Sequence, residues 1–156
     1  MQNFSMKSDA TIKKIQFKVN TDYLHLKYKE MLGEDEGGGL YRNSHFDMRL
    51  SINNQQLEDT NTGELIDNVA LSEMNLEISN IKEQFPFNLN ITIVSTFEWD
   101  SKRSELETVL GKLIPIKLYE ELQTHVSAII EQAGLEKFTL PPIKEDTFYK
   151  KDPQND

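Results

Sequence analysis

Strict alternation of apolar and polar residues is the clearest pattern along this chain. From Phe87 to Trp99 the odd positions are apolar, with Ser95 as the exception, and the even positions are mostly polar. Because successive side chains of a strand point to opposite faces, this pattern predicts a long strand with one buried and one wet face. Residues 46 to 52 repeat it, with the apolar residues at even positions. Such strands are typical of antiparallel sheets.

Two further segments alternate but change phase once. The apolar residues move from odd to even positions near Asn20–Asp22 in one segment and near Ser72–Glu73 in the other. A slip of one residue would turn the apolar side chains to the opposite face of the sheet. We therefore predict a β-bulge or bend at each point, with a tight hairpin as the alternative. The apolar positions concerned are Ile15, Phe17, Val19, Leu24, Leu26 and Tyr28, and then Val69, Leu71, Met74, Leu76 and Ile78.

Turn-forming residues separate these segments. Gly33–Asn43 contains three consecutive glycines and predicts a flexible loop. Residues 61–64, Asn-Thr-Gly-Glu, predict a hairpin turn. Four strands are therefore expected before the first helix.

Helical periodicity follows the last predicted strand. Ser104 and Glu107 are spaced as a capping box and predict a short helix through Leu110, whose continuation Gly111 weakens. Pro115 suits the first turn of a second, longer helix.

The longer helix carries an apolar stripe that ends before Gly134, a natural C-terminal cap. Residues 135–142 then read as a connector, and residues 143–151 as a short final helix or turn.

The order of elements predicts an α+β fold, a four-stranded antiparallel sheet with helices packed on one face. The 156 residues favour a single domain over residues 1–156, with an ordered core from about 12 to 150 and short polar tails. Four long strands offer more apolar surface than one principal helix covers, so either a partner subunit or an open groove is expected. Exposed strand edges also invite pairing between chains, which favours a homo-oligomer, a dimer or tetramer.

Composition excludes several classes of protein. The formal net charge of −9 argues against binding nucleic acid, which needs clustered Lys and Arg. The absence of Cys removes disulfides, thiolate nucleophiles and Cys-based zinc sites. No apolar run is long enough for membrane insertion, and residues 1–14 have no signal-peptide core, so a cytoplasmic protein is expected.

No set of residues predicts catalysis or a cofactor. His25, His45 and His125 are scattered, without the spacing of a metal site. Asp59 and Gly63 match a calcium loop only in part, because the glycine is one position early and the final Glu is missing. We expect a protein that is not an enzyme, with no cofactor and no metal.

Apolar residues on and after the connector lie outside the main helix. They either cap the core or line a binding groove, and the sequence leaves both interpretations open. These residues are Phe138, Leu140, Pro141, Pro142, Phe148 and Tyr149.

From about residue 12 to residue 150, the sequence resembles the SecB family of cytoplasmic protein-export chaperones, most strongly in its C-terminal part. The likeness lies in the run from Leu113 to Tyr119, the helix ending at Gly134, the segment Phe138–Ile143, and Phe148–Tyr149. The order of four strands followed by helices is also similar. The likeness is closer to uncharacterised SecB-like relatives of Gram-positive bacteria than to the export chaperone itself.

This resemblance implies a homo-oligomer, a dimer of dimers, that binds unfolded polypeptides in hydrophobic grooves beside the connector. By position, Phe138, Leu140, Pro141 and Pro142 match the family's connector, and Phe148 and Tyr149 match the start of its last helix. The chain differs in its shorter final helix and in lacking the acidic strand motif that contacts the export ATPase. We expect a polypeptide-binding chaperone, or alternatively an adaptor with one dedicated protein partner.

Overall fold

The computed structural model describes residues 3–33, 39–42, 44–100 and 106–144. Among them, no helix is both long and apolar enough to cross a membrane. The elements, in chain order, are β1 (Asn3–Met6), β2 (Thr11–Val19), α1 (Thr21–Gly33), β3 (Phe46–Glu58), β4 (Leu65–Asn80), β5 (Phe87–Asp100), α2 (Leu106–Thr108), a π-helical turn (Val109–Leu113) and α3 (Ile114–Gln132).

The five described strands form one antiparallel sheet, which confirms the predicted α+β class. The predicted count of four strands was one too low, because β1 lies in the segment expected to be a polar tail. The strand order is β1-β5-β4-β3, and β2 also pairs with β5, so β1 and β2 follow each other along the same edge. Strand β3 forms the other edge. The sheet thus begins at Asn3, earlier than the residue 12 at which the sequence placed the start of the ordered core.

The two faces of the sheet differ as the alternation predicted. The odd residues of β5 are all buried, and with the even residues of β4 from residue 70 to 78 they form the inner face. Helix α3 packs near β4 and β5, and its apolar stripe is buried. The even residues of β3 from Phe46 to Ile52 continue the inner face but are only half-buried.

The phase change near Asn20 is neither a bulge nor a hairpin, because helix α1 begins there. The Asn20 Oδ1 atom accepts a hydrogen bond from the Tyr23 N–H at 3.3 Å, which caps the new helix. Tyr23 is buried, whereas Leu26 is 53% exposed. The alternation in this segment was therefore misread as a strand, and a helix precedes the second long strand.

The predicted bulge at Ser72–Glu73 is also absent. The pairing of β4 with both neighbours keeps one register through these residues. Val69 and Leu71 simply point to the outer face, where they are half-buried. The register shift falls instead between Gln56 and Glu58, opposite the start of β4.

The two predicted C-terminal helices form one continuous helical segment from α2 through the π turn to α3. A proline in an α-helix lacks the N–H and clashes with the carbonyl four residues earlier, which here belongs to Gly111. The π turn contains Gly111 and ends two residues before Pro115, and its wider winding leaves room for the proline ring, so the helix continues through Gly111. Ser104, the predicted cap, lies outside the described residues.

Both predicted turns with a glycine are confirmed. Gly134 has φ +77°, and its N–H and that of Leu135 bond to Glu131 and Ile130, which ends α3 in a Schellman motif. In the β3–β4 hairpin, Gly63 has φ +75°. The Asp59 Oδ1 atom there accepts the N–H groups of residues 61 and 62, which is an Asx turn.

Candidate polypeptide-binding site

Five aromatic rings meet beside the connector, and we call them the aromatic cluster. Phe138 lies at its centre, with ring centroids 5.2–5.7 Å from the four other rings. The remaining rings come from segments far apart along the chain: the residues 39–42 that lead from α1 toward β3, the start of β3, the β4–β5 turn and the start of β5. The members are Tyr41, Phe46, Phe85, Phe87 and Phe138.

The aromatic cluster has a closed floor and an open rim. Phe85 and Phe87 are fully buried, and Phe138 is 7% exposed. Tyr41 and Phe46, in contrast, are only half-buried. A partly exposed aromatic rim over a buried floor is suited to apolar side chains from another polypeptide.

Hydrogen bonds hold the connector at both ends. The Glu136 Oε2 atom accepts the Leu40 N–H at 2.8 Å, and the Glu136 carbonyl accepts the Tyr41 hydroxyl at 2.7 Å. At the far end, the Tyr119 hydroxyl donates to the Pro141 carbonyl. These bonds bracket the two apolar residues at positions 138 and 140.

Both hydroxyl donors are held in their protonated form. Burial raises the pKa of the Tyr41 hydroxyl above its ordinary value of 10.0, and nearby Glu136 and Tyr28 act in the same direction. Burial also raises the pKa of Tyr119. At neutral pH the two tyrosines therefore remain donors to the connector.

The predicted site residues have different environments. Phe138 and Leu140 are 7% and 3% exposed and pack in the core of the single chain. Pro141 is half-buried and Pro142 is exposed. Phe148 and Tyr149 lie outside the described residues. A role for all six in binding polypeptide stays a prediction.

Sequence reasoning missed Tyr41 and Phe46, which form the rim of the aromatic cluster. Tyr41 follows the glycine-rich loop, and Phe46 was seen only as a residue of a strand. Their contacts with Phe138 bridge more than 90 positions, and no local pattern marks such a contact.

Part of the inner face is left partly exposed by the helices that the structure describes. Ile12 and Ile15 pair with Ile93 and Ile91 of β5 and so share the inner face. They are nevertheless 36% and 43% exposed. Within the described residues, the apolar surface along the β2 edge is therefore partly exposed.

The histidines do not form a site. His25 and His45 are exposed, and the His125 Nε2 atom lies 3.0 Å from the Ala10 carbonyl. Within the described ranges, no group of three His, Asp or Glu residues could hold a metal ion.

Comparison with known proteins identifies a fold rather than a sequence family. No family model matches the sequence, and no curated protein matches it. The chain is similar in structure to Rv1957 of Mycobacterium tuberculosis, a SecB-like chaperone solved in complex with a ChAD peptide from the Rv1956 HigA1 antitoxin. The TM-score is 0.55 with 10% sequence identity, over 90% of this chain and 88% of that one. The protein therefore has a SecB-like α+β fold.

Proposed function

We propose that this protein is a cytoplasmic, SecB-like chaperone that binds unfolded or extended polypeptides and carries out no chemistry of its own. The observation that carries the proposal is the aromatic cluster, with its buried floor and its half-buried rim of Tyr41 and Phe46. The proposed binding surface joins this rim to the residues singled out in the sequence, namely Phe138, Leu140, Pro141, Pro142, Phe148 and Tyr149.

The free edge of β3 supports binding of an extended backbone. The N–H and C=O of His45 both bond toward the β4–β5 turn, to Gln84 and Ile81. The backbone N–H and C=O groups of successive residues point in opposite directions along an antiparallel strand. Since the groups of His45 point toward β4, those of the even residues of β3 point away from it. In the described part of the chain β3 pairs only with β4, so these groups are available to an added strand.

This edge is continuous with the aromatic cluster, because Phe46 belongs to both. Residues 50–57 contain no charge, no proline and no glycine, features that would otherwise discourage strand addition. A polypeptide that places apolar side chains on the rim can therefore extend along β3. Its alternate apolar residues would then lie beside the half-buried even residues of β3 on the inner face.

A homo-oligomer, a dimer or tetramer, is part of the proposal. Ile12 and Ile15 leave an apolar strip uncovered along the β2 edge, and a second copy would cover it. The net charge of −9 would keep a loaded complex soluble and favour basic clients.

The alternative is a dedicated adaptor that serves one protein partner. One observation favours it: the structurally similar Rv1957 was solved with a peptide from an antitoxin. Such a protein would use the same rim but would select a single sequence. This adaptor would share the SecB-like fold but would have no general chaperone activity.

A chaperone assay with rim variants separates these proposals. The protein at near-stoichiometric ratio should suppress aggregation of an unrelated unfolded protein. Replacing Phe46 by Ser should weaken client binding by about tenfold or more, because the rim loses a partly exposed aromatic contact while the hydrogen bonds of Glu136 are kept. Leu65→Ser is the matched control, since Leu65 is 56% exposed on the distant β3–β4 hairpin. This variant should bind clients as tightly as the unmodified protein does.

Complete inactivity toward unrelated clients, with one dominant band captured from a lysate, would favour the adaptor. Equal loss of binding in the Leu65→Ser control would show that the rim is not the binding surface.

A further inference from the structure

Glu136 joins the connector to residues 39–42 through its side chain and its backbone, and we call this contact the clasp. Leu40 and Tyr41 donate to it from 96 and 95 positions earlier in the chain. Gly39 leaves the room for it, because a Cβ atom there would lie 2.8 Å from the Glu136 Oε2 atom. The chain thus keeps a glycine where the carboxylate needs space.

The clasp stands at the margin of the aromatic cluster, two residues before Phe138. Glu136 is exposed to solvent, whereas Phe138 and Leu140 behind it are buried. Residues 135–144 have no regular secondary structure, so no ladder of backbone hydrogen bonds fixes them to the sheet. The clasp and the Tyr119 bond to Pro141 are therefore the polar tethers seen at the two ends of the buried pair.

We propose that the clasp is a gate over the aromatic cluster. Release of Glu136 from Leu40 and Tyr41 lets the connector move outward and exposes Phe138 together with the floor beneath it. Such an opening would let Phe138 and Leu140, which are buried in the closed chain, contact a client. The inference rests on the proposed function for what binds, but the opening is a property of the free chain.

Thiol labelling measures the opening directly, because the chain contains no cysteine. Leu140→Cys places a single reporter behind the clasp in the 156-residue chain, and its rate of reaction with a thiol reagent is followed under native conditions. Adding Glu136→Ala removes the carboxylate and should raise this rate about tenfold or more. Gly39→Ala should also raise it, since the new methyl group displaces the carboxylate while Glu136 itself is kept.

Two controls separate gating from general loss of stability. Lys137→Ala changes the exposed neighbour of Glu136 and should leave the labelling rate unchanged. Ile130→Cys places a reporter in the buried stripe of α3, where Glu136→Ala should have no effect.

The gate is refuted if Leu140→Cys reacts at one rate in all backgrounds, or if both reporters accelerate by the same factor. Faster labelling at Leu140→Cys alone supports it, whether or not a client binds. Client binding is measured separately. A chain that opens but captures no polypeptide would support the gate and contradict the proposed chaperone function.

Discussion

Lys82 and Glu83 occupy the two central positions of the turn between β4 and β5, both with positive φ, +53° and +58°. The Gln84 N–H closes the turn on the Ile81 carbonyl at 3.0 Å. This is the pattern of a type I′ turn, which strongly prefers Asn-Gly at its centre. The Asn80 Oδ1 atom accepts the Glu83 N–H at 2.9 Å and helps to hold the conformation.

Replacing this pair by Asn-Gly should stabilise the protein. The Lys82→Asn and Glu83→Gly double variant lowers the steric cost of positive φ at both positions, because Asn tolerates this conformation better than Lys does and Gly has no Cβ atom. The gain should be about 1 kcal/mol or more in total. Chemical denaturation with urea should show the midpoint at a higher concentration and an unchanged slope.

A glycine elsewhere should have the opposite effect. Glu64→Gly changes an exposed residue of the other hairpin, one without positive φ, and should lower stability by a few tenths to 1 kcal/mol through the entropy of the unfolded chain. If the double variant is also less stable, the turn is not strained.

Phe138 should be essential for stability as well as for the proposed binding. It contacts the four other rings of the aromatic cluster, so Phe138→Ala should cost about 3–5 kcal/mol. Pro142→Ala, in the exposed part of the connector, should stay within about 0.5 kcal/mol of the unmodified protein. Urea denaturation of both variants tests this, and equal losses would contradict the burial of Phe138.

Stability should fall in alkaline solution because of the tyrosines that hold the connector. The pKa of Tyr41 is raised in the folded chain, so the folded state holds its proton more tightly than the unfolded state does. The resulting stabilisation is fully present below pH 10 and is lost as pH rises toward the folded pKa. Thermal unfolding between pH 8 and pH 11 should show this decline, and Tyr41→Phe should reduce it. An unaltered decline would assign the effect to other groups.

The sequence alone was sufficient to predict the strands whose two faces differ most in polarity. In β5 the odd residues lie over the helices and the even residues do not, so period two and burial agree. The prediction of a strand around Leu24 and Leu26 was wrong for a physical reason. Three apolar residues at a spacing of two also fit a short helix with exposed apolar residues, and Leu26 is 53% exposed on α1.

Only half of the candidate site could be predicted in the same way. The connector was marked by apolar residues and two prolines outside the main helix. Its partners Tyr41 and Phe46 were not, because their contacts with Phe138 join positions more than 90 residues apart. Since α1 was read as a strand, the placement of Tyr41 beside the connector could not be inferred.

The last prediction uses two neighbouring glutamines of β3 that differ only in the direction of their backbone. Gln55, like His45, is an odd-numbered residue, so its N–H points to β4. The N–H of Gln56 points to the free edge. Gln55→Pro removes a ladder hydrogen bond and should cost about 3 kcal/mol, while Gln56→Pro removes none and should cost under about 1 kcal/mol. Urea denaturation compares the two directly. If client polypeptides add to this edge, Gln56→Pro should also weaken their binding several-fold while the fold persists, because it removes one N–H that the added strand would use. Similar losses of stability in both variants would mean that the edge is already paired.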